Sequence, residues 1–338
     1  MPATNVAIIG CGGIAALSHV PALWRNPDDL TIRYLCDPDR SRAEALRLRC
    51  RIPPSAIADV DTVLADDEVA GVIIAAWPAS HLRLALAAIA AGKHVMVQKP
   101  VAFTAADGAT LVAAATASDR NVLTLPLVEF VPGVQELAGL LAGSALGEIS
   151  FVRVRVSIPG PVDYHRDVRR FFHEPVDDPG SIFDPAYALG MGCSADMGPY
   201  ALSLVHHLFG PAELVGVRKS APALEHMFLL SLILPDSGAL CSVELGWSQY
   251  PSGEMCVVMG SRGTATVSMT GQLTLNPSEP DGAGATAPFR PGAVLPADPA
   301  AAQDRWLDAI RAGKSRAFDR SVLAASWTAG ILEQIRDR

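Results

Sequence analysis

Residues 5–15 read NVAIIGCGGIA. Asn5–Gly10 carries the unalternating apolar run VAII, the pattern of a short buried strand. Gly10-Cys11-Gly12-Gly13-Ile14-Ala15 then fits G-x-G-x-x-G/A, followed by a helical pattern through Leu23. Gly10 permits the tight strand-to-helix turn, Gly12 lets backbone approach a pyrophosphate, and the small Ala15 allows close helix packing. A pyrophosphate would sit at that helix N-terminus, where unpaired N–H groups and the macrodipole favour negative charge. These eleven residues predict the opening of a dinucleotide-binding fold.

The next segment supports this. Thr31–Cys36 (TIRYLC) reads as a second strand, ended by Asp37-Pro38. A carboxylate there accepts hydrogen bonds from ribose hydroxyls and repels a 2′-phosphate, so NAD is the expected cofactor. Arg40 and Arg42 follow closely and keep NADP open as the alternative.

Strands and helices keep alternating. Val69–Ala75, Lys93–Val97 and Val122–Leu125 read as strands; Ser41–Arg49, Ser80–Ala91 and a segment from Ala105 read as helices. That order implies a doubly wound parallel sheet covered on both faces. The pattern changes after Pro126. Ile149–Ile158 alternates strictly, with Arg153 and Arg155 on one face. Leu214–Arg218, Met227–Leu234, Ala239–Leu245, Met255–Gly260 and Gly263–Met269 are further strands joined by turns such as PDSG and SRGT. They predict a second α/β domain built on an open, mostly antiparallel sheet. A long loop is expected over Pro159–Gly190, one helix over Asp196–Phe209, a surface loop over Asn276–Pro299, and terminal helices over Ala301–Ala312 and Ser321–Ile335. The expected domains are 1–125 and 126–338; a chain of 338 residues suits two cores.

Composition narrows the function classes. Half the residues are hydrophobic and 18% are charged, which excludes global disorder. A formal net charge of −8 argues against sequence-independent nucleic-acid binding. The six cysteines form no C-x-x-C pair and several lie in apolar runs, so reduced core residues in a cytoplasmic protein are expected. No secretion signal or membrane-length apolar run is read. His206 and His207 are adjacent and point to different faces, and no metal is expected.

Ala75-Ala76-Trp77-Pro78-Ala79-Ser80-His81 follows the third strand. Gly92-Lys93-His94-Val95-Met96-Val97-Gln98-Lys99-Pro100 comes eleven residues on. With the fingerprint, Ala145–Ile149 (ALGEI) and Asp196–Tyr200 (DMGPY), this resembles the glucose–fructose oxidoreductase, inositol dehydrogenase and rhizopine-catabolism (Gfo/Idh/MocA) family over nearly the whole chain. The resemblance implies hydride transfer between NAD(P) and a sugar or sugar derivative. Pyranose C3 is the preferred carbon and aldose C1 the second. It implies cofactor contacts at Gly10, Gly12, Gly13, Ile14, Ala15, Asp37, Arg40, Ala76, Trp77, His81, Gln98 and Lys99. Lys99 also matches the lysine of the family's E-K-P segment, whose glutamate is here Gln98. A lysine at a sheet-strand end, partly desolvated, is suited to hold or polarise an alcohol or carbonyl oxygen.

In the family's second catalytic segment Asp196 and Gly198 match, while Tyr200 and Ser203 stand where histidine and aspartate are usual. Tyr200 resembles the branch that uses tyrosine as acid/base. Lys99, Tyr200 and Asp196 are thus the catalytic candidates, and His165 and Arg169 join them as substrate contacts. His19, before Pro21, fits the family pattern and reads as packing. The departures Gln98, Tyr200 and Ser203 also fit a catalytically silent, cofactor-binding regulator. An open sheet face suggests a homodimer or homotetramer.

Overall fold

The computed structural model describes residues 3–25, 30–158, 162–173, 191–220, 227–247, 253–277, 299–313 and 318–338. The chain forms two compact units: Met1–Leu125 with Pro161–Gly190 and Pro299–Ala329, and Pro126–Gly160 with Met191–Asp298 and Gly330–Arg338.

The first unit holds five strands: β1 (Thr4–Ile9), β2 (Leu30–Cys36), β3 (Gly71–Ile74), β4 (His94–Val97) and β5 (Val122–Thr124). They pair in the order β2-β1-β3-β4-β5, all parallel. Every residue of β3 and β4 is buried, because helices cover both faces of a parallel sheet. A π-helical turn (Ala15–His19) leads into α1 (Val20–Leu23). Then come α2 (Arg40–Arg49), α3 (Val60–Ala65), α4 (Pro78–Ala90) and α5 (Ala105–Ala117). Asp39, Asp59 and Thr104 cap α2, α3 and α5 through their side-chain oxygens, satisfying amides that have no partner within a first turn. α3 places Val60, Val63 and Leu64 on the core; at six residues it is too short for its period to stand out in the sequence, and the sequence reading missed it.

Two chain-distant segments complete this unit. α9 (Pro299–Ala312) seats Trp306, fully buried, against Gly71, where an added Cβ would lie 2.8 Å from the indole ring. α10 (Asp319–Arg336) begins here and packs Ser326 over Gly108. α7 (Val162–Phe172) is a helix where a loop was expected. Its aromatic and aliphatic positions gain from one-sided burial, whereas its many charges had suggested a solvated loop. The rest of the expected loop apart from His173, 159–161 and 174–190, lies outside the described residues, as do 278–298 of the expected Asn276–Pro299 loop.

The second unit is a seven-stranded sheet in the order β12-β11-β10-β6-β9-β8-β7. Its strands are β6 (Ile149–Ser157), β7 (Glu213–Lys219), β8 (Met227–Ile233), β9 (Leu240–Gly246), β10 (Glu254–Gly260), β11 (Gly263–Ser268) and β12 (Leu273–Pro277). All pairs are antiparallel except the central β6–β9, so the sheet is mostly antiparallel. β12 takes up Asn276 and Pro277, which had been read as loop. One face carries Val152, Val154, Val156, Leu230, Leu232, Val243 and Leu245, all buried. α8 (Gly192–Phe209) packs across β6 and β9. Each large apolar side chain buried there contributes about 1.5–3 kcal/mol. α8 begins four residues before Asp196, so DMGPY lies inside the helix and not at its start. α6 (Pro132–Ala142), also missed by the sequence reading, docks Gly133 on the carbonyl of Gly271.

Candidate active site

The fingerprint turn is shaped by close approach. Gly10 has φ +97°, and a Cβ there would lie 2.4 Å from the amide nitrogen of Ala76. The ends of β1 and β3 thus meet with no room for a side chain. Gly12 is different: an added Cβ would meet nothing within 4 Å. The backbone there faces open space, as a pyrophosphate site needs. Ile14 and Ala15 continue into the helical turn, with Ala15 buried.

Asp37 is built into this turn. One carboxylate oxygen accepts the N–H of Cys11 at 2.8 Å, and the other accepts that of Asp39 at 2.9 Å. Each oxygen retains a lone pair for a ribose hydroxyl. Arg40 is exposed at the start of α2. Arg42 stacks over Phe172 at 5.1 Å and Arg49 over Phe171 at 4.5 Å, which fastens the end of α7 to α2. Tyr164 and Val168 of α7 press on the fingerprint: a Cβ on Gly13 would be 2.8 Å from the Tyr164 hydroxyl and 2.3 Å from Val168. His165 and Arg169, one turn apart on α7, are therefore carried beside the dinucleotide turn.

The turns after β3 and β4 lie at the same carboxyl end of the sheet. Ala76 is half-buried and Trp77 is 47% exposed. His81 was expected among the cofactor contacts, but its ring is buried inside the unit. Nδ1 lies 2.9 Å from the carbonyl of Pro100 and Nε2 2.8 Å from that of Ala76. Gln98 likewise points inward. Its amide nitrogen is 3.0 Å from His19 Nε2, and its carbonyl accepts the Lys99 N–H at 3.3 Å. The missing carboxylate thus leaves a neutral link to the Lys99 backbone. His19, read as packing, is a hub: Gln303 of α9 reaches its Nδ1 at 2.8 Å. The same Gln303 amide nitrogen donates to the His19 carbonyl at 3.3 Å. Burial holds the His19 pKa down at about 4. Lys99 is half-buried at the carboxyl end of β4.

In the second unit Asp196 and Tyr200 lie one turn apart on α8, both half-buried. The indole N–H of Trp247, at the end of β9, donates to Asp196 Oδ2 at 3.0 Å. Trp247 and Gln303 carried no motif, and Gln303 lies 284 residues from its partner, so neither was legible. Among the described residues no three His, Cys, Asp or Glu side chains gather at metal-binding distance, and no helix is long and apolar enough to cross a membrane.

The fold and site define an oxidoreductase domain pair with a nicotinamide-binding Rossmann domain. Residues 4–124 match the family model described as "Oxidoreductase family, NAD-binding Rossmann fold" and residues 134–266 that of the GFO/IDH/MocA C-terminal domain. The chain belongs to the Gfo/Idh/MocA oxidoreductase family. It is 25% identical to an uncharacterised oxidoreductase of Rhizobium meliloti, over 69% of this chain and 65% of that one. It is 24% identical to an inositol 2-dehydrogenase of Pseudomonas savastanoi pv. phaseolicola, over 81% and 76%. The chain spans less than two thirds of the first of these. Among solved structures, levoglucosan dehydrogenase in complex with NADH and levoglucosan superposes with a TM-score of 0.79 at 15% identity, over 99% of this chain and 97% of that one.

Proposed function

We propose that the protein transfers hydride between NAD and a secondary alcohol or ketone carbon of a sugar or sugar derivative, with pyranose C3 preferred over aldose C1. The observation that carries this reading is the convergence of the open Gly12 turn, Asp37 and Lys99 at the carboxyl end of one parallel sheet. Relatives named for inositol and levoglucosan favour a polyhydroxylated substrate. Bound NAD supplies the hydride acceptor. Gly10, Gly12, Gly13, Ile14 and Ala15 would hold its pyrophosphate, Asp37 its ribose, and Ala76 and Trp77 its nicotinamide side. The Asp37 carboxylate beside the ribose position disfavours a 2′-phosphate and favours NAD, while Arg40 at the start of α2 keeps NADP as the alternative.

Lys99 orients and polarises the reacting oxygen. In reduction the Tyr200 hydroxyl would give its proton to the substrate oxygen and regain one from solvent; in oxidation the Tyr200 phenolate, its own proton already released to solvent, would take the substrate hydroxyl proton. Asp196, steadied by Trp247, holds the substrate, and His165 and Arg169 contribute hydrogen bonds. The test is nicotinamide absorbance across free sugars, glycosides and nucleotide sugars, with NAD and NADP in parallel. Lys99→Ala and Tyr200→Phe are each expected to lose about 100-fold or more in kcat; full turnover by both refutes the assignment. The second reading, a cofactor-binding regulator without turnover, rests on Gln98, Tyr200 and Ser203. It is supported if NAD binds tightly and no sugar reacts.

A homodimer through the outer face of the second sheet belongs to the same proposal. Met259, Phe151, Leu240 and Ile233 stand side by side in register across four strands, with Met259 and Leu240 each over 40% exposed. Leu240→Asp is expected to yield monomers in sedimentation.

A further inference from the structure

His81 is buried at 1% exposure, and both its ring nitrogens face backbone carbonyls. A carbonyl only accepts, so each contact needs its own N–H. Burial and the nearby Lys99 ammonium both lower the ring's pKa, although the two carbonyls oppose this. At neutral pH the ring therefore carries one hydrogen and makes one of the two bonds. The carbonyl of Pro100 belongs to a buried residue in a buried contact, whereas Ala76 lies at a half-exposed turn in a part-buried one. An acceptor sealed from water loses more when left without a donor. The hydrogen accordingly resides on Nδ1 and goes to Pro100. The Ala76 carbonyl takes donors from solvent or from a bound cofactor.

Pro100 is bonded directly to Lys99. From this geometry we infer that His81 is a positioning residue for Lys99: its Nδ1–H anchors the Pro100 carbonyl to α4 and so fixes where the Lys99 amine stands. The inference rests on the reading of Lys99 as the catalytic amine. In this inference His81 acts through Lys99, its buried ring being turned to the Pro100 and Ala76 carbonyls.

Three substitutions separate anchoring from packing. The side-chain amide of His81→Asn reaches the place of Nδ1 and keeps the anchor. That of His81→Gln reaches the place of Nε2 and turns toward Ala76. His81→Phe fills the space and donates nothing. Displacing a catalytic group by about 1 Å costs about 100-fold, so kcat is expected to fall about tenfold to 100-fold in His81→Gln and His81→Phe, and to stay within about threefold in His81→Asn. The KM for NAD is expected to hold within about twofold in His81→Asn and His81→Phe. Equal losses in the Asn and Gln variants, retained kcat in the Phe variant, or a rise in KM with kcat unchanged overturn the inference.

A second measurement needs no turnover. Nitrogen-15 spectra of the histidine-labelled wild-type chain at neutral pH are expected to show the His81 hydrogen on Nδ1, protected from exchange. A hydrogen on Nε2 overturns the inference whatever the substrate panel shows. A silent panel with the hydrogen on Nδ1 counts against the proposed activity and leaves the anchor standing.

Discussion

Replacing Gly12 by alanine separates cofactor binding from folding, because the neighbouring glycines respond so differently. A methyl on Gly12 meets no protein atom within 4 Å, and φ there is not positive. The folded protein therefore pays no steric cost. The stiffer unfolded chain contributes about 0.4–1 kcal/mol in favour of folding. The melting temperature of Gly12→Ala is expected within about 3 °C of wild type. The same methyl stands where backbone must approach the pyrophosphate. Losing one charge-assisted hydrogen bond from an amide to phosphate costs about 1.5–3 kcal/mol, so NADH affinity should fall about tenfold to 100-fold. Gly10→Ala is the contrast. Its Cβ would lie 2.4–2.6 Å from three backbone atoms of Ala75 and Ala76, at φ +97°. Strain and overpacking together destabilise that variant by about 2–5 kcal/mol. Calorimetry for stability and NADH fluorescence titration for binding read the two effects apart. Wild-type NADH affinity in Gly12→Ala, or a melting temperature far below wild type, would refute the argument that the pyrophosphate runs over Gly12.

Three further outcomes follow from other parts of the structure. His19, neutral and buried, has its pKa lowered from 6.5 to about 4. Its contribution is whole above pH 6.5 and is lost as pH falls toward 4, because the unfolded chain takes up the proton first. At about 1.4 kcal/mol per pH unit this is about 3 kcal/mol, and denaturant titrations of His19→Gln across that window should show a correspondingly shallower acid loss. Asp37→Asn keeps an oxygen for the Cys11 amide but removes the charge, so the ratio of NADPH to NADH affinity should rise about tenfold in fluorescence titration; an unchanged ratio would remove Asp37 as the ribose selector. Trp306→Ala, emptying a fully buried site against Gly71, should cost about 3–5 kcal/mol in urea unfolding.

The first βαβ turn was readable because its information is local. Gly10, Gly12 and Asp37 are stated as residue types at fixed places along the strand–turn–helix–strand order, although the partners of Gly10 and Asp37, Ala76 and Cys11, are distant in the chain. The strands were readable for a related reason: buried runs such as GVII and the alternation of ISFVRVRVS express burial directly. The loop assigned to Pro159–Gly190 failed at α7 because its aromatic and aliphatic residues are interspersed with charges, and the groups they pack on, Gly13, Arg42 and Arg49, are far away in the chain.

By itself, then, the sequence determined the family, the parallel and mostly antiparallel sheets, the dinucleotide turn and the acidic residue that ends β2. Tertiary structure alone decided that His81 and Gln98 face inward, that Gln303 closes a chain through His19, and that Trp247 holds Asp196. The division has one physical cause. Backbone conformation and burial period are set by neighbours in sequence, whereas the partner of a buried polar group is whichever donor or acceptor folding brings within about 3 Å.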